Sequence, residues 1–198
     1  MFTEVRRKNK MDSATLPAPK ERNLYLPSQV DQKSMNDLTK SIVLINEHDA
    51  FLKKMYGIYN IKYVPNPIKM YIDSYGGAVY QCLGLLGIME SSKTPIYTIV
   101  TGAAMSCGFM ILISGHKRFG YAHSTPLYHQ VSTGFWGKIQ DLEEKIVETR
   151  RLQQKIEDIT LEKTSITKKK LKKILKNKID WFMTAEEALS LGVIDEVL

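Results

Sequence analysis

The stretch Ile68–Ser92, IKMYIDSYGGAVYQCLGLLGIMESS, decides how this chain is built. A short strand, Ile68–Ile72, runs toward the paired glycines Gly76 and Gly77, and a helix follows to about Ser91. The next segment repeats the plan. PIYTIV reads as a strand that ends at Thr101 and Gly102, and TGAAMSCGFMILISG turns from it into a helix opening near Ser106. Strand, turn and helix, twice in succession, predict an α/β fold whose sheet carries helices on its flanks and whose sites gather at the carboxyl ends of the strands.

Upstream, NLYLPSQV predicts a short strand leading into a helix that starts near Gln32 or Ser34, with Leu38, Ile42, Val43 and Ile45 at near-helical spacing. From Asn46 the pattern weakens into what reads either as a linker or as a helix lengthened by an insertion, and Pro65 and Pro67 stop it. Downstream, KRFGYAH and TPLYHQV predict two more short strands and leave His129 near the end of the second. From Lys138 to about Thr164, Ile139, Leu142, Ile146, Leu152, Ile156 and Ile159 mark a long amphipathic helix. Spacing alone suits equally a helix lying on its own sheet and one projecting to a partner subunit.

With 198 residues, 43% of them hydrophobic, the chain can bury one sizeable core. A single domain is expected over residues 23–198, preceded by a flexible basic tail over 1–22 that lacks the apolar stretch of a secretory signal. The two cysteines, Cys82 and Cys107, have no CxxC spacing and no paired histidines, so a reducing compartment is expected, with no disulfide framework and no metal site. No apolar run approaches the roughly 20 residues that cross a bilayer, which predicts a soluble, cytoplasmic protein with no membrane partner. The net charge of +7 is concentrated in KTSITKKKLKKILKNK, Lys163–Lys178. Without interleaved aromatics or arginine forks, this segment reads as a helix capped by Thr167 that buries Leu171, Ile174 and Leu175, and not as a nucleic-acid surface.

Ser106 is the first candidate for chemistry. A serine at the first turn of a helix after a strand sits beside amides that lack intrahelical partners, and AMSCG resembles a nucleophile elbow with alanine in place of the first glycine. The same serine could simply cap the helix. In DSYGGAV the N–H of Gly76 or Gly77 could face a carbonyl oxygen. A serine needs a base, and of the four histidines His129 is the best placed: His48 falls in the uncertain linker, His116 in a turn and His123 between strands. A base needs an orienting carboxylate, and Asp180, between Ile179 and Trp181, is expected in an apolar setting.

Taken in order, DSYGGAV, TGAAMSCGFMILISG, PLYHQ and DWFMTAEEALSLGVIDEVL resemble the motifs of the ClpP family, the proteolytic subunits of the ATP-dependent Clp protease, over roughly Ile68–Leu198. The resemblance implies a ClpP/crotonase-like fold with a projecting strand-helix handle at about 130–164, and a serine endopeptidase acting on unfolded polypeptides. Carried over by motif, Ser106 is the nucleophile, His129 the general base and Asp180 the carboxylate that orients it. The backbone N–H groups of Gly76 and Cys107 form the oxyanion hole, and Gly77, Ala78, Val79, Val131 and Ser132 line the substrate path.

The resemblance further implies self-assembly into stacked heptameric rings fed by a separate AAA+ unfoldase of the ClpX, ClpA or ClpC kind. The chain itself has no G-x-x-x-x-G-K-[ST] loop and no cofactor is expected. The lysine-rich sequence suits a phage-encoded or a plastid-type member, acting in a host cytoplasm or a stroma. Tyr75 and Val131 stand where the family has prolines, and Lys178 and Ile179 where it often has an Asp-Arg pair that links ring assembly to activity. The rival readings are a silent ring subunit, an α/β-hydrolase esterase, whose triad order differs, and a crotonase-type acyl-CoA enzyme, which has no use for a serine–histidine pair.

Overall fold

The computed structural model describes residues 21–198, so the expected tail lies outside the description apart from Glu21 and Arg22. Strand β1 (Asn23–Leu26) leads to helix α1 (Gln32–Ile58), then β2 (Ile68–Ser74), α2 (Val79–Ser91), β3 (Ile96–Met105) and α3 (Cys107–Ile113). There follow β4 (Lys117–Gly120), β5 (Thr125–Tyr128), α4 (Ile139–Lys163), α5 (Lys168–Asn177), β6 (Trp181–Phe182), α6 (Ala185–Ser190) and β7 (Glu196–Val197). The strands form a mostly parallel sheet in the order β1-β2-β3-β4-β7, the α/β arrangement that the repeated strand-turn-helix units predict.

Strands β2 and β3 bury Ile68, Met70, Ile72, Ile96 and Val100 completely. Helix α3, CGFMILI, is apolar all round and buried all round, as such a helix must be. The strand expected to end at Thr101–Gly102 instead runs on to Met105 through a bulge. Opposite the bulge, the Asp73 carboxylate accepts the Ala103 amide at 2.8 Å, and Thr101 Oγ1 donates to the Ile72 carbonyl. Gly102, Ala103 and Ala104 carry little strand preference, so the pairing is tertiary in origin.

The weak pattern after Asn46 resolves into helix. Helix α1 runs on for 27 residues and is opened by a capping box in which Asp31 and Ser34 exchange side-chain and backbone bonds. It buries Met35, Leu38, Ile42 and Ile45, while Val43, expected among them, falls on the neighbouring exposed face. What fastens its far end is Asp49. Its carboxylate receives Arg22 through both Nη atoms at 3.0 and 2.5 Å, Tyr63 Oη at 2.6 Å and Thr94 Oγ1 at 2.6 Å. One buried charge thereby joins the foot of β1, α1, the inserted loop and the α2–β3 turn.

Helix α4 divides in two. Leu152, Ile156 and Thr160 pack inward against α3, whereas Ile139, Ile146 and Val147 stand exposed on the first turns. Residues 129–138, expected to open the handle as a strand, carry no strand pairing; Val131 N–H donates instead to Gln153 Oε1 of α4 at 2.8 Å. In α5, Thr167 caps by accepting the Lys170 amide, Leu171 and Ile174 are buried, and the lysines ring the other face. No described helix is long and apolar enough to cross a membrane.

Candidate active site

Strand β3 has two successive neighbours, and the exchange builds the site. Tyr97–Val100 pair with β4, but Ala103–Met105 pair with β5, so the carboxyl end of β3 lies beside Leu127. Ser106 follows at once, its N–H donating to the Leu127 carbonyl at 3.1 Å. Its backbone sits at φ 54, ψ −117, a costly conformation for a residue with a Cβ, and its side chain makes no capping bond to α3. The hydroxyl is therefore not spent as a helix cap, which separates the two readings the sequence left open.

Strand β6 returns antiparallel to β5, with Leu127 opposite Phe182 and Tyr128 opposite Trp181. One residue further on in each direction stand His129 and Asp180. The register thus sets the two side by side, with His129 Nδ1 3.9 Å from Asp180 Oδ1, just beyond hydrogen-bond reach. The apolar setting expected for Asp180 is not what surrounds it. Its side chain is 67% exposed and Ile179 is exposed too, while the buried Trp181 turns its indole inward to donate to Glu187 Oε1 at 3.1 Å. Alternation begins only with β6 itself, where Trp181 is buried and Phe182 exposed, and Asp180 precedes it.

The glycine turn presses against the serine from the other side. Gly76 has φ 90, and a Cβ there would lie 2.7 Å from the Met105 carbonyl oxygen, 2.8 Å from Ser106 Cβ and 2.9 Å from the Cys107 amide nitrogen. Its own amide reaches Ser74 Oγ at 3.3 Å. Cys107 N–H belongs to the first turn of α3, where no intrahelical acceptor exists. Gly76→Ala is accordingly expected to lower the thermal midpoint and to depress any activity of Ser106 together, because the added methyl meets backbone on both sides. Unaltered melting of purified Gly76→Ala protein would contradict this packing.

A small cleft of about 40 Å³ opens at this junction, lined by Val79, Ser106, Cys107, His129, Val131 and Ser132 among others. Of the residues expected along a substrate path, Gly77 and Ala78 are not in its wall. Gly77 lies against Val30, whose carbonyl a Cβ would overlap, and Ala78 donates its amide to that same carbonyl at 2.8 Å. Met110, Tyr128 and Ile156 also line the cleft and escaped the sequence reading, for each looks like an ordinary core residue. Roomier clefts of about 550 and 590 Å³ lie along α1, but they contain none of Ser106, His129 and Asp180. Chemistry and not volume singles out the smaller one. No cluster of metal-ligating side chains occurs among the described residues.

Ser106, held clear of its helix, and His129 share one cleft, Asp180 lies 3.9 Å from the histidine, and the glycine turn presses against the serine; comparison with known sequences bears on which family builds such a site. The family model "Clp protease" matches residues 6–198. This chain belongs to the Clp protease family. It is 31% identical over 181 residues, covering 90% of the chain and 81% of its relative, to the ATP-dependent Clp protease proteolytic subunit of Deinococcus radiodurans. The Clp protease match also corrects the sequence reading at its weakest point. The family match begins at residue 6 and not near Ile68, so its span takes in β1 and the long α1 as well.

Proposed function

We propose that the chain is a serine endopeptidase subunit, one peptidase domain over residues 23–198 with a handle at about 130–164, that cleaves unfolded polypeptides delivered by an AAA+ unfoldase. The observation that carries this reading is the β5–β6 register, which sets Asp180 opposite His129 at the strand end beside Ser106. His129 takes the Ser106 proton as Oγ attacks the peptide carbonyl, then returns it to the leaving amine; Asp180 holds the imidazole and stabilises its charged form. The amides of Gly76 and Cys107 receive the oxyanion. A water then repeats the sequence on the acyl-enzyme. Val79, Val131 and Ser132 meet the substrate, whose extended backbone can add to residues 129–138 as a strand that needs little side-chain recognition.

A fluorophosphonate probe with peptide mapping tests the assignment. Labelling at Ser106 is expected, labelling at Cys107 would mean a thiol enzyme, and no labelling would favour a silent ring subunit. That second reading draws on the exposed Asp180 and its 3.9 Å separation from His129.

Ring stacking is the second part of the proposal. Lys178 and Ile179 cannot form a reciprocal ion pair, so apolar contact by the first turns of α4 is the remaining hold. Leu152 is spent within its own chain, which leaves the half-buried Leu142 and the exposed Ile146, with Ile139 and Val147, to meet a partner. Ile146→Asp is expected to split stacked rings and cut peptidase activity, by placing an unpaired charge in an apolar contact. The wild-type assembly should survive about 1 M salt, where the Debye length falls to roughly 3 Å. Sedimentation decides: rings that part in moderate salt, yet tolerate Ile146→Asp, would show that charge joins them.

A further inference from the structure

Two thiols lie at the serine site, and the proposed chemistry uses neither. Cys107 follows Ser106 at the opening of α3, and Cys82 sits in the first turns of α2; both are 2% exposed and neither is in a disulfide. Cys82 Sγ donates to the Cys107 carbonyl at 3.6 Å, and Cys107 Sγ donates to the Gly77 carbonyl at 3.3 Å. The Cys82 thiol thus lies directly against the backbone of Cys107. Their ionisation splits accordingly. The Cys82 contact pulls the Cys107 thiol below its ordinary range, whereas the same contact, together with burial, pushes Cys82 well up. Cys107 also lines the cleft that holds Ser106, whose roughly 40 Å³ admits a molecule the size of water or hydrogen peroxide.

We propose that Cys107 and Cys82 are a reversible disulfide site that closes the serine site when a hydroperoxide enters the cleft. The Cys107 thiolate attacks one peroxide oxygen; the O–O bond breaks, and the departing hydroxide takes up a proton to become water. The sulfenic acid left on Cys107 is then attacked by the Cys82 sulfur, the S–O bond breaks, and a second water leaves with the Cys82 proton. Two thiols lose two electrons and the peroxide gains them; a dithiol reverses the step by exchange. An S–S bond of about 2.05 Å draws Cys107 off the Gly77 carbonyl and toward α2. The Cys107 amide is packed against Gly76 and moves with it, so the oxyanion pocket is lost. This effect on turnover rests on the serine peptidase reading above; the disulfide itself does not. Such transient bridges are the kind that occur in reducing compartments.

The test treats the purified full chain with hydrogen peroxide and follows two quantities: the Cys82–Cys107 cross-linked peptide by mass spectrometry, and hydrolysis of a fluorogenic peptide. The cross-link is expected to accumulate with the loss of two hydrogen atoms while the rate falls by roughly 10²-fold, the cost of a lost oxyanion donor. Dithiothreitol should reverse both. Cys82→Ala, or Cys82→Ser should alanine loosen the core, is expected to give no cross-link and, in excess peroxide, a Cys107 sulfenic acid that a second peroxide carries on to the sulfinic acid, which dithiothreitol does not reduce. Full alkylation of both thiols after peroxide would overturn the disulfide. A cross-link that leaves the rate unchanged, or a Cys82 variant whose Cys107 stays unoxidised in excess peroxide, would overturn the switch. A chain that cross-links but cleaves nothing even when reduced would refute the peptidase reading and leave the disulfide site standing.

Discussion

Ser106→Ala is expected to reduce cleavage of small fluorogenic peptides, measured without ATP, by roughly 10³-fold or more, since removal of a triad nucleophile leaves only binding and the oxyanion amides. The fold should be little changed. The Ser106 side chain makes no capping bond to its helix, so losing the hydroxyl removes no helix cap. The comparison that matters is therefore activity against melting temperature. A Ser106→Ala protein that melts like the wild type and cleaves as fast would sink the assignment, and a variant that is inactive only because it is unfolded would leave a lowered melting temperature as its signature.

The largest effect on stability is expected far from the serine, at Asp49. Removing this carboxylate leaves the Arg22 guanidinium with no counter-charge and only the Asn66 carbonyl as acceptor, and leaves the Tyr63 and Thr94 hydroxyls without theirs. Breaking one half of a buried ion pair costs about 3–5 kcal/mol. For a domain of this size Asp49→Ala should lower the thermal midpoint by roughly 6–20 °C. Replacing Arg22 and Asp49 together with apolar residues of like volume should recover much of that loss, because no charge is then left unpaired. Scanning calorimetry of the single and double variants checks both, and a single variant that melts like the wild type would show the network to be idle.

The same network gives stability a pH dependence with two edges. Burial opposes the Asp49 charge, but the bonds from Arg22, Thr94 and Tyr63 outweigh it and hold the carboxyl below its ordinary value of 3.8. That stabilisation is complete above the ordinary value and fades as pH falls through the depressed one. Burial, then the bond to Asp49, pushes the Tyr63 phenol up from 10 to about 12. Its share is complete below pH 10 and fades as pH rises toward 12. In Asp49→Ala the alkaline edge due to Tyr63 should shrink, which denaturation midpoints at high pH would register.

How much of this was legible beforehand differs from element to element. The α/β class, the strand-turn-helix units on either side of Pro95, the Thr167 cap with buried Leu171 and Ile174, and the amphipathic α4 are local patterns, set by side-chain periodicity and capping chemistry within a few residues. The sequence likewise named Ser106, His129 and Asp180, because a serine before a buried helix, a histidine at a strand end and four ordered motifs need no coordinates. Their meeting is another matter. It depends on β3 exchanging β4 for β5 at a bulge bonded by Asp73, and on the two-residue strand β6 pairing Trp181 with Tyr128. No periodicity announces a two-residue strand, and small residues such as Gly102 and Ala103 carry too little preference to declare that β3 continues. The insertion after Asn46 stayed ambiguous for the same reason, since its helix is held by one carboxylate whose partners lie 27, 14 and 45 positions away along the chain. By itself the sequence determined which residues could do chemistry and where the strongly patterned helices and strands lie; the tertiary structure alone decided that Ser106 is not a helix cap, that Asp180 faces solvent and that Cys82 meets Cys107, because strand register and long-range hydrogen bonds join residues whose local sequences carry no trace of one another.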